Sequence, residues 1–146
     1  MSARIDHLGI AVKDLAQAEP LFAALLGAPA AGREVVASEQ VEVSFFRVGE
    51  SRIELLQATS PESPIARAIE RRGEGVHHVC LAVDDIEAEV ARLRGLGFQF
   101  VGDAPRPGAG GHRVAFIHPK SAGGVLVELS EASSTAAGHG GAGAST

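Results

Sequence analysis

Four residues stand at matched places in this sequence. His7 lies in the apolar stretch IDHLGIAV at residues 5–12, and His78 in VHHVCLAV at residues 76–83. The shift that lays His7 on His78 also lays Ile10 on Leu81, Ala11 on Ala82, Val12 on Val83, Asp14 on Asp85 and Leu15 on Ile86. Two glutamates follow at comparable separations: Glu54 interrupts Ile53-Glu54-Leu55, and Glu128 interrupts Val127-Glu128-Leu129. A carboxylate on a core-facing strand position costs several kcal/mol unless it is paired or binds a cation. Two imidazoles and two carboxylates suit a divalent cation of intermediate softness, such as Co, Ni, Zn, Fe or Mn, and leave two octahedral positions open to chelate a substrate through two oxygens. Singly, each residue reads as ordinary: a histidine at a strand start is commonly a satisfied polar group, and a glutamate in a strand commonly faces solvent. Their correspondence across a repeat is what points to a metal.

Those residues need elements to place them. Residues 4–12 read as a strand, and Asp14 with Gln17 three residues on forms a helix start. Leu15, Ala18, Phe22 and Leu25/Leu26 recur at helical spacing over 15–26; Pro20 predicts a kink or a restarted helix, and Gly27 ends the run. Residues 33–37, 41–48 and 52–57 read as strands, the last two joined by a tight turn at Gly49-Glu50-Ser51. Ser63-Pro64 starts a short helix over 65–72 that Gly73 stops. The plan then repeats: a strand over 76–83, a helix over 86–96 behind Asp85, a strand over 99–101, a Pro/Gly loop over 104–111, a strand over 113–117, a turn, and a last strand over 125–130. The chain therefore reads as a single domain over 1–131, of α+β class, made of two modules at about 4–59 and 74–131 with a helical bridge at 60–73. Residues 132–146, rich in Gly, Ala, Ser and Thr, cannot bury enough surface to offset ordering entropy and are expected to form a disordered tail.

Composition excludes several classes. The 146 residues carry a net charge of −5 with mixed signs, which gives no electrostatic footprint for nucleic acid or an anionic membrane. No apolar run approaches a membrane span. The N-terminal MSARIDHLGIAV enters a strand almost at once and lacks a signal-peptide pattern, so the expectation is a soluble, cytoplasmic protein. The single cysteine, Cys80, allows no disulfide framework and reads as a small buried hydrophobe.

Longer segments carry a resemblance. IDHLGIAV with Asp14-Leu15, SEQ at 38–40, RIELL at 52–56, SPESPIARAIERRGEGVHHV, VDDI at 83–86 and HPKSAGGVLVEL at 118–129 resemble the vicinal oxygen chelate superfamily and, within it, the methylmalonyl-CoA epimerase family. The similarity covers about residues 4–130; VHHV after the SPI helix and HPK followed by GGVLVEL are its more specific parts. The resemblance implies two βαβββ modules paired into a half-open mixed β-barrel around one divalent metal ion, Co(II) first, with Mn, Ni, Zn or Fe as alternatives. It implies His7, Glu54, His78 and Glu128 as ligands, the family having Gln or Glu at the place of Glu54, with Glu128 also the catalytic base. The activity implied is interconversion of (2R)- and (2S)-methylmalonyl-CoA by abstraction and return of the α-proton. The implied partners are an acyl-CoA thioester substrate and a second copy of the chain in a homodimer.

Three points stay open at this level. Lys120 and Arg113, with the glycine-rich stretch at 108–111, either hold the substrate's free carboxylate or CoA phosphates or are plain surface charge. His118, also a candidate substrate contact, either orients a ligand or caps the turn that follows it, whereas His77 alternates with His78 and is expected on the opposite face with a structural role. Some family members carry a second glutamate base in the strand after an EQG turn. Here the turn reads Glu39-Gln40-Val41, and alternative alignments put Val43 or Ser44 at that place, with Glu42 one residue away and therefore on one face or the other. Two other activities use the same fold: a glyoxalase-type lyase acting on a glutathione hemithioacetal, which would use the same four ligands, and a non-enzymatic drug-binding module, which often lacks them.

Overall fold

The computed structural model describes residues 2–132, so the expected tail, apart from Ala132, lies outside the described residues. The chain divides into two compact units, residues 7–77 in one and, in the other, the residues from His78 on together with the chain's start up to Asp6.

β1 (Ser2–Ala11), which belongs to the first unit from His7 on, is followed there by α1 (Leu15–Leu26), β2 (Gly32–Val36), β3 (Val41–Val48), β4 (Ser51–Ala58) and α2 (Pro64–Arg72). β2, β3 and β4 pair antiparallel, and residues 7–11 of β1 pair in parallel with residues 52–56 of β4. Asp14 accepts a hydrogen bond from Ala16 N at 3.0 Å and so satisfies one of the donors that a helix start leaves unpaired. Leu15 N finds its acceptor in Gln57 Oε1 at 2.7 Å, which ties the helix start to β4. Leu15, Ala18 and the half-buried Phe22 then seat on Val12, Phe46 and Leu55. Large apolar side chains buried as fully as Phe46, Leu15 and Leu55 contribute about 1.5–3 kcal/mol each. α1 runs through Pro20 without interruption, against the expected kink or restart. Proline forfeits one N–H bond there, and the apolar residues on either side of it hold the helix to the sheet.

The second unit repeats the order with β5 (Gly75–Val83, within this unit from His78 on), α3 (Ile86–Gly95), β6 (Phe100–Pro107), β7 (Arg113–Ile117) and β8 (Val127–Glu131). β8 lies parallel to β5 and antiparallel to β7, and β7 pairs antiparallel with β6. Asp85 caps α3 by accepting from Ala88 N at 3.1 Å. Ile86, Val90 and Leu93 pack on Val83, Ala115, Ile117 and Leu129. The α+β expectation, with a βαβββ order in each module, therefore holds.

One stretch departs from expectation. The residues at 104–107, read as part of a Pro/Gly loop, belong to β6. The strand slips its register between Val101 and Arg106, then pairs again, Arg106 with Val114 and Pro107 with Arg113. Gly108 makes the turn behind it: a Cβ there would lie 2.6 Å from Val114 Cγ1, so the close approach of backbone and side chain requires glycine.

Candidate functional site

Cross-strand partners share a sheet face, and faces alternate along each strand. In the first unit α1 covers the face of Phe46, Ile53 and Leu55. The other face carries His7, Arg52 and Glu54, since His7 is opposite Arg52 and Glu54 lies two residues farther along β4. His7 is 2% exposed and Glu54 3%. His7 Nδ1 lies 3.4 Å from Glu54 Oε2, and the buried Arg52 Nε donates to the same oxygen at 3.4 Å. Glu54 thus keeps a cationic partner in addition to the imidazole, which offsets part of the cost of its burial. Sequence reasoning missed Arg52. Its signal was available, because a cation two positions from a carboxylate on one strand shares its face.

The second unit carries the counterpart. Cys80 on β5 is opposite Glu128 on β8, and His78 precedes Cys80 by two residues on the same face. His78 Nε2 lies 3.0 Å from Glu128 Oε1, with both residues buried. The His78 ring meets Phe116 edge-on, with centroids 6.1 Å apart. His112 is buried, with Nδ1 3.1 Å from Ser130 Oγ. Cys80 is fully buried, as expected of a small hydrophobe.

The other candidates sit elsewhere. Arg113 is not brought to Glu128. Its parity puts it on the α3 side of β7, and its Nη2 donates to Glu87 Oε2 at 2.7 Å. His118 caps the 3₁₀ turn Pro119–Ala122, its Nδ1 accepting from Lys120 N at 3.1 Å, and Lys120 itself is exposed.

The alternatives on β3 are separated by its pairing with β4. Val43 is opposite Leu56 and shares the face of Glu54; Ser44 is opposite Leu55 and faces α1, where its hydroxyl donates to Glu19 Oε2 at 2.5 Å. Glu42 also turns to the α1 side, 3.6 Å from Arg33 Nη1. The turn before β3 holds Gln40 at φ 54°, a left-handed conformation that favours glycine.

Each His–Glu pair fits a divalent ion. Adjacent ligands about 2.1 Å from one metal are separated by about 3 Å when the angle between them is near 90°. The observed separations of 3.4 and 3.0 Å lie close to that value. One imidazole nitrogen and one carboxylate oxygen in each unit form a donor set of intermediate softness.

Comparison with known proteins decides the family. Residues 6–116 match the glyoxalase/bleomycin resistance protein/dioxygenase superfamily. The chain belongs to that superfamily. An ethylmalonyl-CoA/methylmalonyl-CoA epimerase of Cereibacter sphaeroides is 38% identical over 133 residues, covering 90% of this chain and 99% of that one. The mitochondrial methylmalonyl-CoA epimerase of Homo sapiens is 37% identical over 130 residues, covering 88% and 74%. A solved structure of a variant of Streptomyces coelicolor methylmalonyl-CoA epimerase, in complex with 2-nitronate-propionyl-CoA, superposes with a TM-score of 0.87 at 33% identity, covering 92% of this chain and 97% of that one. Likeness of this extent places the chain in the epimerase branch of the superfamily and gives it the same fold.

Proposed function

We propose that this chain interconverts the (2R) and (2S) forms of methylmalonyl-CoA, with His7, Glu54, His78 and Glu128 holding one divalent metal ion and Glu128 moving the α-proton. The observation that carries this reading is the recurrence of one buried His–Glu pair, at ligand-like separation, in each βαβββ module. The named epimerase relatives support the substrate assignment. When bound, a divalent ion would supply Lewis acidity toward a thioester carbonyl. Co(II) is the first choice, with Mn, Ni, Zn or Fe as alternatives.

The chain's own residues account for the rest of the chemistry. The α-carbon of a malonyl-type thioester lies between a thioester carbonyl and a carboxylate, so its C–H is weakly acidic. Glu128 Oε2 or Oε1 takes that proton and leaves a planar enolate. Return of a proton to the opposite face inverts the centre, and this requires a second donor. His78, held 3.0 Å from Glu128 and edge-on to Phe116, fixes the orientation of the base. Arg52 and His7 hold Glu54 in place. Lys120, exposed on its turn, is assigned to CoA phosphates. Among the described residues no helix is long and apolar enough to cross a membrane. From the family resemblance the reading also takes a homodimer in the cytoplasm.

The test is ¹H NMR of methylmalonyl-CoA in D₂O with the wild-type chain and added Co(II) or Mn(II). Loss of the α-proton signal with retention of the thioester supports the reading. An α-proton that persists at every metal tried overturns it.

A further inference from the structure

We propose that Arg106 receives the free carboxylate of the substrate and so sets specificity for a diacid over a monoacid thioester. The proposal rests on the epimerase reading. Its observations lie within the second unit. Arg106 is opposite Val114 on β7, and Phe116, two residues farther on, is opposite Glu128. Alternation therefore puts Arg106, Phe116 and Glu128 on one face, the face away from α3. The Arg106 guanidinium carbon lies 5.0 Å over the Phe116 ring, and Phe116 in turn meets His78 edge-on at 6.1 Å. An aromatic platform thus holds a permanent cation one ring away from the His78–Glu128 pair. Gly102, at φ 66°, leaves room for it: a Cβ there would lie 2.8 Å from Arg106 Nη1.

The chemistry of the substrate requires such a neighbour. In a malonyl-type thioester the carboxylate is bonded directly to the α-carbon. The group that holds the carboxylate must therefore stand close to the group that takes the α-proton, and two residues on one face of adjoining strands meet that condition. Glu128 alone would repel a second carboxylate. Arg113 pairs with Glu87 on the α3 side, and Lys120 is exposed on the turn, whereas Arg106 stands on Glu128's own face. A planar guanidinium offers a carboxylate two parallel N–H donors, which a point charge does not. Register slippage in β6 is what brings it there, because the strand pairs with β7 again only at Arg106.

The experiment compares wild type, Arg106→Met and Arg106→Lys on two ligands: methylmalonyl-CoA, by KM, and propionyl-CoA, which lacks the carboxylate, by its inhibition constant. Arg106→Met is expected to raise KM by about ten- to a hundredfold, the usual loss on removing one charge-assisted hydrogen-bonding partner. It should leave the propionyl-CoA constant within about twofold. Arg106→Lys keeps the charge without the fork, so its KM should fall between the two. KM unchanged in Arg106→Met, or KM and inhibition constant rising together, overturns the assignment. If Arg106→Met does not fold, Arg106→Lys decides by the same comparison: no selective rise in KM overturns the assignment. A wild-type chain that does not epimerise methylmalonyl-CoA overturns instead the reading on which the proposal rests.

Discussion

Ser44 donates its hydroxyl to Glu19 Oε2 at 2.5 Å, on the side of β3 that α1 covers. That contact joins a helix to the sheet and points away from Glu54. Ser44→Ala should therefore lower stability by about 1.5–3 kcal/mol, the usual net worth of a hydrogen bond to a charged group, and leave kcat and KM within about twofold. Urea denaturation and steady-state kinetics on one preparation check both parts. A tenfold fall in kcat with unchanged stability would assign Ser44 to the chemistry after all.

Glu19 makes this contact sensitive to acid. The Arg33 guanidinium, first, and the Ser44 hydroxyl, second, hold its carboxyl below the ordinary value of 4.5. A group whose folded pKa is depressed stabilises the fold above its unfolded pKa, and that contribution is lost as pH falls through the folded value. Wild type should thus lose its advantage over Glu19→Gln on acidification below about pH 4.5. Denaturation midpoints of the two proteins at neutral pH and near pH 3 should converge. A gap that widens toward low pH would contradict the direction of the shift.

Gln40 holds φ at 54° in the turn before β3, and its carbonyl accepts from Thr59 N at 2.9 Å. A non-glycine residue in this conformation costs about 1–2 kcal/mol, of which glycine's greater freedom in the unfolded chain cancels about half. Gln40→Gly should accordingly raise stability by about 0.5–1 kcal/mol, read as a higher denaturation midpoint with an unchanged slope. A destabilised variant would mean that the glutamine side chain contributes more than its backbone strain costs.

Much of this arrangement was legible in the residues alone. The repeat around His7 and His78, the caps at Asp14, Ser63 and Asp85, and the interruptions at Glu54 and Glu128 are local patterns that pairing preserves. What escaped depends on partners distant in sequence. Val43 and Ser44 could not be separated because a slip of one residue exchanges the two faces of a strand; the pairing of β3 with β4 decides between them. Arg106 sits in APRPGAGG, whose Pro and Gly content reads as loop, and only the resumed pairing with β7 turns it toward Glu128. Arg113, by contrast, lies in a well-formed strand. Its role depended on face, and Ala115 and Ile117 draw that face onto α3.

The two histidines should act together on metal content. His7 and His78 each supply one nitrogen beside a buried carboxylate. Replacing both by alanine should reduce bound metal from about one ion per chain to near zero while the far-ultraviolet dichroism persists, because α1 and α3 pack on the opposite faces of their sheets. Plasma emission spectrometry of protein dialysed against Co(II) reads this directly. Undiminished stoichiometric metal in the double variant would reject a site built on these residues.

Glu128 is the residue whose chemistry can be isolated. Glutamine keeps the shape of glutamate and one oxygen for a metal, yet it cannot accept a proton near neutral pH. Glu128→Gln should therefore retain its fold and most of its metal while losing a factor of about 10²–10⁴ in epimerisation, the range that a positioned base supplies. Exchange of the α-proton in D₂O should fall by the same factor for the epimer whose C–H faces Glu128, whereas the other epimer is deprotonated by the group on the opposite face. Metal content measured on the same sample separates loss of a base from loss of a ligand. Exchange at the wild-type rate would show that another group takes the proton. The neighbouring His78, 3.0 Å from Glu128, would then be the first to replace.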